Sequence, residues 1–356
     1  MENNIEIRPL LNIPNVIHVG DGNQLQYGFD YLWDNESVYV IDAAKLAHNA
    51  GVIGRDGVDE TIMDEWIKSI TSNKIEEFIE DRDLSPVSIS KRVINNFYGK
   101  FSRTNIIGTQ IHDAMGRPYI PGSSIKGAMR TAVVATQARN HYVNLDRGTA
   151  NTLEMMFASG TTDRKESVRS DFFRFVRATD AFYNPGCEAV ITVPRMTFDK
   201  MNDIKTILEV IAPEEDETAS FLLNIDAEKY MAVKESRVMK SMGSMPEEMR
   251  SIDGLFHVVN EHTLHLINEE IKTWSLLKTV NAKKYTEVLR ILKQECEQCN
   301  DGECILRLGM GSGKIFITGA WAMSLPGVKT PKTRAVYREG TDDINVLGFV
   351  KLAKVR

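Results

Sequence analysis

The sequence predicts an α+β fold in two domains, residues 1–195 and 196–356, and two observations carry that expectation. Short segments of period-two hydrophobicity alternate with longer segments of helical spacing, and both halves of the chain do so in a similar order. At 356 residues the chain also exceeds the size at which a single hydrophobic core usually stops growing. In the first forty residues, Ile5 to Leu11, Asn15 to Val19, Tyr27 to Trp33 and Val38 to Ile41 read as strands. They are separated by a Gly20-Asp21-Gly22 turn and an Asp34-Asn35 turn. Asp42 is placed to cap a helix beginning at Ala43.

Residues 59–81 set Ile62, Trp66 and Ile70, then Ile75, Phe78 and Ile79, at helical spacing, which predicts two short amphipathic helices. A basic, strand-like stretch follows from Ser90 to Gly122. From Ser167 to Ile191 the pattern gives a polar helix, the segment FFRFVRATDAF, a Pro185-Gly186 turn and the strand EAVITVPRM. The Met-rich stretch VMKSMGSMPEEMRSIDG carries the breakers Gly243, Pro246 and Gly254, and its flexible side chains suit an irregular core or loop. Residues 257–295 are strongly helical with a break near Thr279 to Asn281, and NVLGFVKL reads as a last strand.

Forty-three basic against 49 acidic residues give a net charge of −6, which argues against a protein that coats nucleic acid generally and leaves room for a local basic groove. No run approaches the roughly 18 apolar residues that span a bilayer. The start, MENNIEIRPLLNIPN, has acids and prolines where a signal peptide has a basic and then an apolar region. The expectation is a cytoplasmic protein with no membrane partner. Four cysteines are too few for a disulfide scaffold and suit a reducing compartment.

The stretch YIPGSSIKGAMRT, Tyr119 to Thr131, concentrates candidate binding residues at a helix entrance. Pro121-Gly122 ends a strand, Ser123 or Ser124 is placed to cap, and Ile125, Ala128, Met129, Ala132, Val133 and Thr136 form an apolar stripe. Unpaired first-turn amides and the helix dipole attract anions. Lys126 and Arg130 stand four residues apart, and Gly127 leaves room for a close backbone, so a phosphodiester fits the surface as well as solvent does. Near the C-terminus, LGMGSGK lacks the spacing of a Walker A loop, because Leu308 and Ile315 stand where Gly and Ser or Thr are needed. It also lacks the dinucleotide fingerprint, since it leads into the strand-like KIFITGAW. A flexible glycine loop with one lysine remains.

Cys296, Cys299 and Cys304 form C-x2-C-x4-C, either reduced thiols or three ligands of a structural zinc completed by Cys187 or one of His257, His262 and His265. No nucleophile elbow is present and no cysteine has a catalytic context. Arg169, Arg174 and Arg177 interleave with Phe172, Phe173 and Phe175 around Asp171, a mixture that suits single-stranded RNA and equally a buried strand edge.

Taken in order, IHVGDG, YIPGSSIKGAMRT, RATDAF, LGMGSG and LGFVKL resemble the RAMP-type subunits of type III CRISPR effector complexes. The segment FDYLWDNESVYVIDAAKLA, the spacing and the length are most similar to the fifth Csm subunit of type III-A systems. The resemblance implies tandem ferredoxin-like, RRM-related domains with helical insertions. It also implies a non-catalytic RNA-binding subunit, without a cofactor, that caps the end of the backbone holding the 3′ part of the crRNA and assists crRNA maturation in antiviral defence. The partners it implies are crRNA, target RNA and the other Csm subunits, with host nucleases as a further class. Carried onto this chain, Gly122, Ser123, Ser124, Lys126, Gly127 and Arg130 line the guide backbone, with Arg177 beside them. Gly309, Gly311, Ser312, Gly313 and Lys314 form the glycine-rich loop. Two features depart from the family: Phe349 stands where tryptophan is common, and the cysteine cluster is not a family feature. Competing expectations are a metal-dependent ribonuclease using an acid such as Asp21, and a zinc-stabilised scaffold.

Overall fold

A computed structural model of the protein describes residues 3–14, 16–72, 74–101, 106–140, 147–197, 200–236, 241–311, 316, 333–338 and 343–355. The strand Asn3–Arg8 alternates in the way a half-buried strand must, with Ile5 and Ile7 turned inward. It lies at the centre of a five-stranded sheet in the order Val176–Ala178, Ala219–Ile225, Asn3–Arg8, Phe349–Lys354 and Glu303–Arg307, with every neighbouring pair antiparallel. Ala219, Phe221 and Leu223 continue the inward face, while Ser220 and Leu222 point to solvent. One face of this first sheet is therefore packed and the other partly wet, as antiparallel sheets allow.

Two helices cover the packed face. Helix Gly122–Asn140 contributes Ile125, Met129, Ala132 and Val133, and helix Ile252–Ser275 contributes Leu255, Phe256 and Val259, to one core with Ile5, Ile7, Val176, Phe221 and Leu352. The long helical stretch expected from the sequence is a hairpin of Ile252–Ser275 and Val280–Glu297, broken where Thr279 caps the second helix by accepting from the Ala282 amide. Trp274 and Tyr285 close it edge to face at 4.9 Å between ring centroids.

A second, six-stranded sheet runs Thr333–Ala335, Glu188–Thr197, Met201–Ile211, Ile107–Gln110 and Gly20–Leu25, with Asn96–Tyr98 parallel to Glu188–Thr197. Its central strand is buried on both faces, Ala189, Ile191 and Val193 on one side and Val190 on the other. A small sheet of Tyr31–Trp33, Val38–Ile41 and Ser90–Ile94 packs with helices Ala43–Asn49, Glu60–Thr71 and Ile75–Glu80 around a separate core. Asp42 caps the first of these helices as expected, accepting from the Ala44 and Lys45 amides.

The mixed α+β class is as the sequence predicts. Position 195 falls inside the strand Glu188–Thr197, and both larger sheets take strands from each side of it. Two local expectations differ. Residues 20–22, expected as a turn, begin an edge strand paired with Ile107–Gln110, and a register shift between Gly20 and Gln24 absorbs the glycines. The segment Asn15 to Val19, expected as a strand, makes a single bridge from Ile17 to Ile211, Asn15 itself lying outside the described residues. No helix among the described residues is long and apolar enough to cross a membrane.

Candidate nucleic-acid interface

The short strand pair Tyr119–Ile120 with Ala181–Phe182 delivers the chain to the helix Gly122–Asn140. The Pro121 carbonyl accepts from the Ser124 amide at 2.9 Å and the Ile125 amide at 3.2 Å, so Pro121 stands at the cap position. Ser123 and Ser124 consequently lie inside the first turn, which corrects the expectation that one of them caps. The side-chain cap comes from across the hairpin: Asp180 Oδ1 accepts from the Gly122 amide at 2.8 Å. Glycine is needed at 122 because a Cβ there would collide with the carbonyl oxygens of Ala178 and Thr179, at the exit of the strand Val176–Ala178. At Gly127 a Cβ would meet nothing within 4 Å, and the helix backbone is open to a large ligand.

The predicted apolar stripe is in place, with Ile125, Met129 and Val133 fully buried. The two cations of the motif separate in character. Arg130 donates from Nε to Asp171 Oδ2 at 2.8 Å and from Nη1 to Glu154 Oε1 at 3.2 Å. Burial opposes its charge, and the two carboxylates more than offset that, raising its pKa. Lys126 has no ion pair among the described residues. Its pKa is lowered, first by partial burial and then by repulsion from Arg177 and Arg130, against the attraction of Asp171. Lys126 therefore keeps an unpaired charge one turn into the helix from Ser123, with the exposed Arg177 close enough to repel it.

The glycine-rich loop sits elsewhere, where three of the quoted motifs meet. Gly309 has φ +71°, and a Cβ there would strike the His18 carbonyl, which accepts from the Met310 amide at 2.8 Å. Gly348, at φ +83°, approaches the Leu308 carbonyl equally closely, and its amide donates to Val16 O at 2.8 Å. The segments 16–19, 308–311 and 345–349 thus interlock through backbone. Arg307 organises this junction, donating to the carbonyls of Leu347 at 3.1 Å and Gly311 at 2.7 Å while its guanidinium stacks over Phe349 at 4.5 Å. Full burial depresses its pKa to about 10. Ser312, Gly313 and Lys314 lie outside the described residues.

The remaining candidates disperse. Phe172, Phe173 and Phe175 are buried in the main core, so the aromatic and arginine mixture is the buried alternative, with Arg174 and Arg177 on the outside. Cys296 and Cys304 are buried in different core clusters, Cys299 is half-buried, and the three sulfurs do not gather within 4.8 Å of one another. Burial pushes all three thiols up, Cys299 to about 11. His262 accepts from Arg139 Nη1 at 3.0 Å, which occupies its Nδ1. Asp21 accepts from the Asn23 amide and side chain at 2.9 Å each and from the Thr109 hydroxyl, which fixes it at the start of the edge strand Gly20–Leu25.

Glu154 and Arg307 carry no signal in the sequence, whereas Asp171 and Asp180 stand in or beside the quoted segments as acids of the kind that cap or pair, and here Asp180 caps and Asp171 pairs. Asp180 lies within the quoted RATDAF segment, and its place one residue before a short apolar strand was the available signal. Arg307 binds carbonyls up to 40 residues away and leaves no local trace.

This is the construction of an α+β scaffold that presents a helix entrance, a lysine without an ion pair among the described residues, and a glycine loop. Residues 16–315 match the family model of the RAMP superfamily, and the chain belongs to that superfamily. Within it, the chain is similar to proteins described as CRISPR system Cms protein Csm5. The one from Streptococcus thermophilus is 30% identical over 128 residues, 34% of this chain and 35% of that protein. The one from Methanocaldococcus jannaschii is 20% identical over an alignment of 382 residues, covering 95% of this chain and 87% of that protein. Two solved structures share the fold. A crystal structure of T. onnurineus Csm5 matches at 20% identity and TM-score 0.68, over 98% of this chain and 99% of that one. A chain of a cryo-EM structure of a Csm-crRNA-target RNA ternary complex from a type III-A CRISPR-Cas system matches at 18% identity and TM-score 0.69, over 100% of both chains.

Proposed function

We propose that this chain is a non-catalytic RNA-binding subunit of a type III-A CRISPR effector complex, acting in the cytoplasm. In this reading it caps the end of the backbone that holds the 3′ part of the crRNA and assists crRNA maturation in antiviral defence. Its partners are crRNA, target RNA and the other Csm subunits, and a host nuclease is a further partner for maturation. The first sheet supports a ferredoxin-like half. Strand, helix, strand, strand and helix follow in sequence before the two last strands, Glu303–Arg307 and Phe349–Lys354, with the first strand central between the third and the last. The observation that carries the reading is Lys126, which has no ion pair among the described residues and is repelled by Arg177 and Arg130, on the helix turn whose backbone at Gly127 is bare. Two repelling cations, one half-buried, are relieved by an anion, and a phosphodiester backbone supplies a row of them. The hydrogen bonds from Asn23 and Thr109 that engage Asp21 on the edge strand support the non-catalytic role.

The test is to purify effector complexes carrying a tagged copy of this chain, at moderate salt, and to sequence the bound RNA. The expected result is repeat-spacer guides of defined length, with the Lys126→Ala/Arg177→Ala double variant losing or shortening the guide at its 3′ end. Absence of RNA, a random RNA population, or an unchanged guide in the double variant would overturn the assignment.

A further inference from the structure

Away from the helix entrance, three side chains from the second sheet converge. Glu188 and Glu209 sit on the antiparallel strands Glu188–Thr197 and Met201–Ile211, on one face, since Glu209 pairs with Val190, two residues from Glu188. His112 follows the adjoining strand Ile107–Gln110. His112 Nε2 lies 3.3 Å from Glu188 Oε1 and 3.8 Å from Glu209 Oε1, and the ligand atoms of all three fall within 4.8 Å of one another. The side chains are 10%, 5% and 0% exposed.

The hydrogen bonds fix what this cluster lacks. His112 Nδ1 lies 2.7 Å from the Gln110 carbonyl, which can only accept, so Nδ1 carries the proton. In a neutral ring, Nε2 is then a bare lone pair facing two carboxylate oxygens, which repel it. Only a cation between them, or a second proton on the ring, makes the arrangement favourable. Charge leads to the same point: Arg92 pairs with Glu209 through Nε at 2.9 Å and Nη2 at 2.8 Å, which leaves the charge of Glu188 without a full counter-charge in a buried place.

Distance separates the two solutions. A protonated histidine against a carboxylate closes to roughly 2.7–2.9 Å. Ligand atoms around a tetrahedral zinc, each about 2.0–2.2 Å from the metal, stand roughly 3.3–3.5 Å apart. The spacings of 3.3 and 3.8 Å fit the shared ion better. A histidine whose other nitrogen donates to a backbone carbonyl is also the usual support of a metal ligand. Glu209 Oε1 accepts from Arg92 Nε at 2.9 Å and Oε2 from Arg92 Nη2 at 2.8 Å and the Gln110 amide at 3.1 Å, so an ion at the site would share Oε1 with Arg92 through that oxygen's second lone pair.

We propose that His112, Glu188 and Glu209 bind a divalent transition-metal ion such as zinc, tying together three strands of the second sheet. His112 and Glu188 line a cavity of about 830 Å³ that also reaches Asp21, Lys91 and Asp113, so a fourth coordination position opens to water or an anionic ligand there. The site stands on the fold alone and is independent of the RNA reading.

The full chain, freed of RNA and dialysed against a chelator, is titrated with zinc by calorimetry and with cobalt by absorption spectroscopy. One ion per chain is expected, with a cobalt spectrum of nitrogen and oxygen ligands and no thiolate-to-cobalt charge-transfer band, and a Tm that rises with zinc and falls again with chelator. His112→Gln and Glu188→Gln each lose affinity about 10- to 100-fold, and Cys299→Ser does not. A thiolate band, or binding unchanged in both ligand variants, overturns the site. If the wild type binds no ion and the chelator leaves Tm unmoved, the proposal is wrong. The wild-type measurements decide the question even where a variant fails to fold.

Discussion

Arg130 and Lys126 are both cations of the same helix, yet their surroundings give them different tasks. Arg130 closes ion pairs with Asp171 and Glu154, which anchor helix Gly122–Asn140 to the chain on either side of helix Arg164–Ser170. Arg130→Ala leaves two partly buried carboxylates short of a partner and should cost about 1–3 kcal/mol of stability, read as a fall in Tm. Lys126→Ala removes no ion pair and should stay within about 0.5 kcal/mol of wild type. Its effect belongs to RNA binding, where the slope of log affinity against log salt should shrink by about 0.7 for each lost phosphate contact. Measuring Tm and RNA affinity over several salt concentrations separates the two residues. A weakened RNA affinity with unchanged Tm in Arg130→Ala would show that its ion pairs do not hold the helix, and would return it to the ligand surface.

At the scale of the element, the glycines of the motif helix make opposite demands. Gly122→Ala drives a methyl into the backbone of Ala178 and Thr179, neither of which can swing aside, and should destabilise by about 1–3 kcal/mol. Gly127→Ala meets open space on an exposed helical turn and should stabilise by about 0.5–1 kcal/mol, while the methyl stands off any RNA backbone and lowers its affinity. Chemical denaturation beside RNA binding tests both, and a Gly127→Ala protein that gains stability and keeps full RNA affinity would place the ligand elsewhere. What the sequence revealed of this helix follows from its period: the stripe from Ile125 to Val133 repeats every three to four residues and survives in the core. Which groups Asp180 and Asp171 would meet was hidden, because they reach the Gly122 amide and Arg130 from another part of the chain, after helix Arg147–Ser159. Edge pairing was hidden too. The glycines at 20 and 22 look like a turn until Ile107–Gln110 supplies a neighbour. His112, Glu188 and Glu209, spread over almost a hundred residues, form no motif at all.

At the scale of the whole molecule, the two helices that cover the first sheet are joined by one histidine whose ionisation links stability to pH. His262, on Ile252–Ser275, accepts from Arg139 at the end of Gly122–Asn140, and burial, then the charges of Arg139 and His265, lower its pKa from 6.5 to about 3. The unfolded chain therefore takes up the proton first as pH falls. The stability this residue protects is fully present above about pH 6.5 and is lost progressively toward about pH 3. At pH 5 the loss is about 2 kcal/mol. His265 is shifted in the same direction and adds to the trend, so the wild type alone does not isolate the effect. His262→Gln keeps an acceptor for Arg139 without a titratable ring, and its stability should fall less than that of the wild type between about pH 7 and about pH 5 by that same amount. Urea denaturation of both proteins across this range gives the difference directly. Parallel pH curves would mean that His262 is solvated in the folded protein, and that the helix pair is not closed through it.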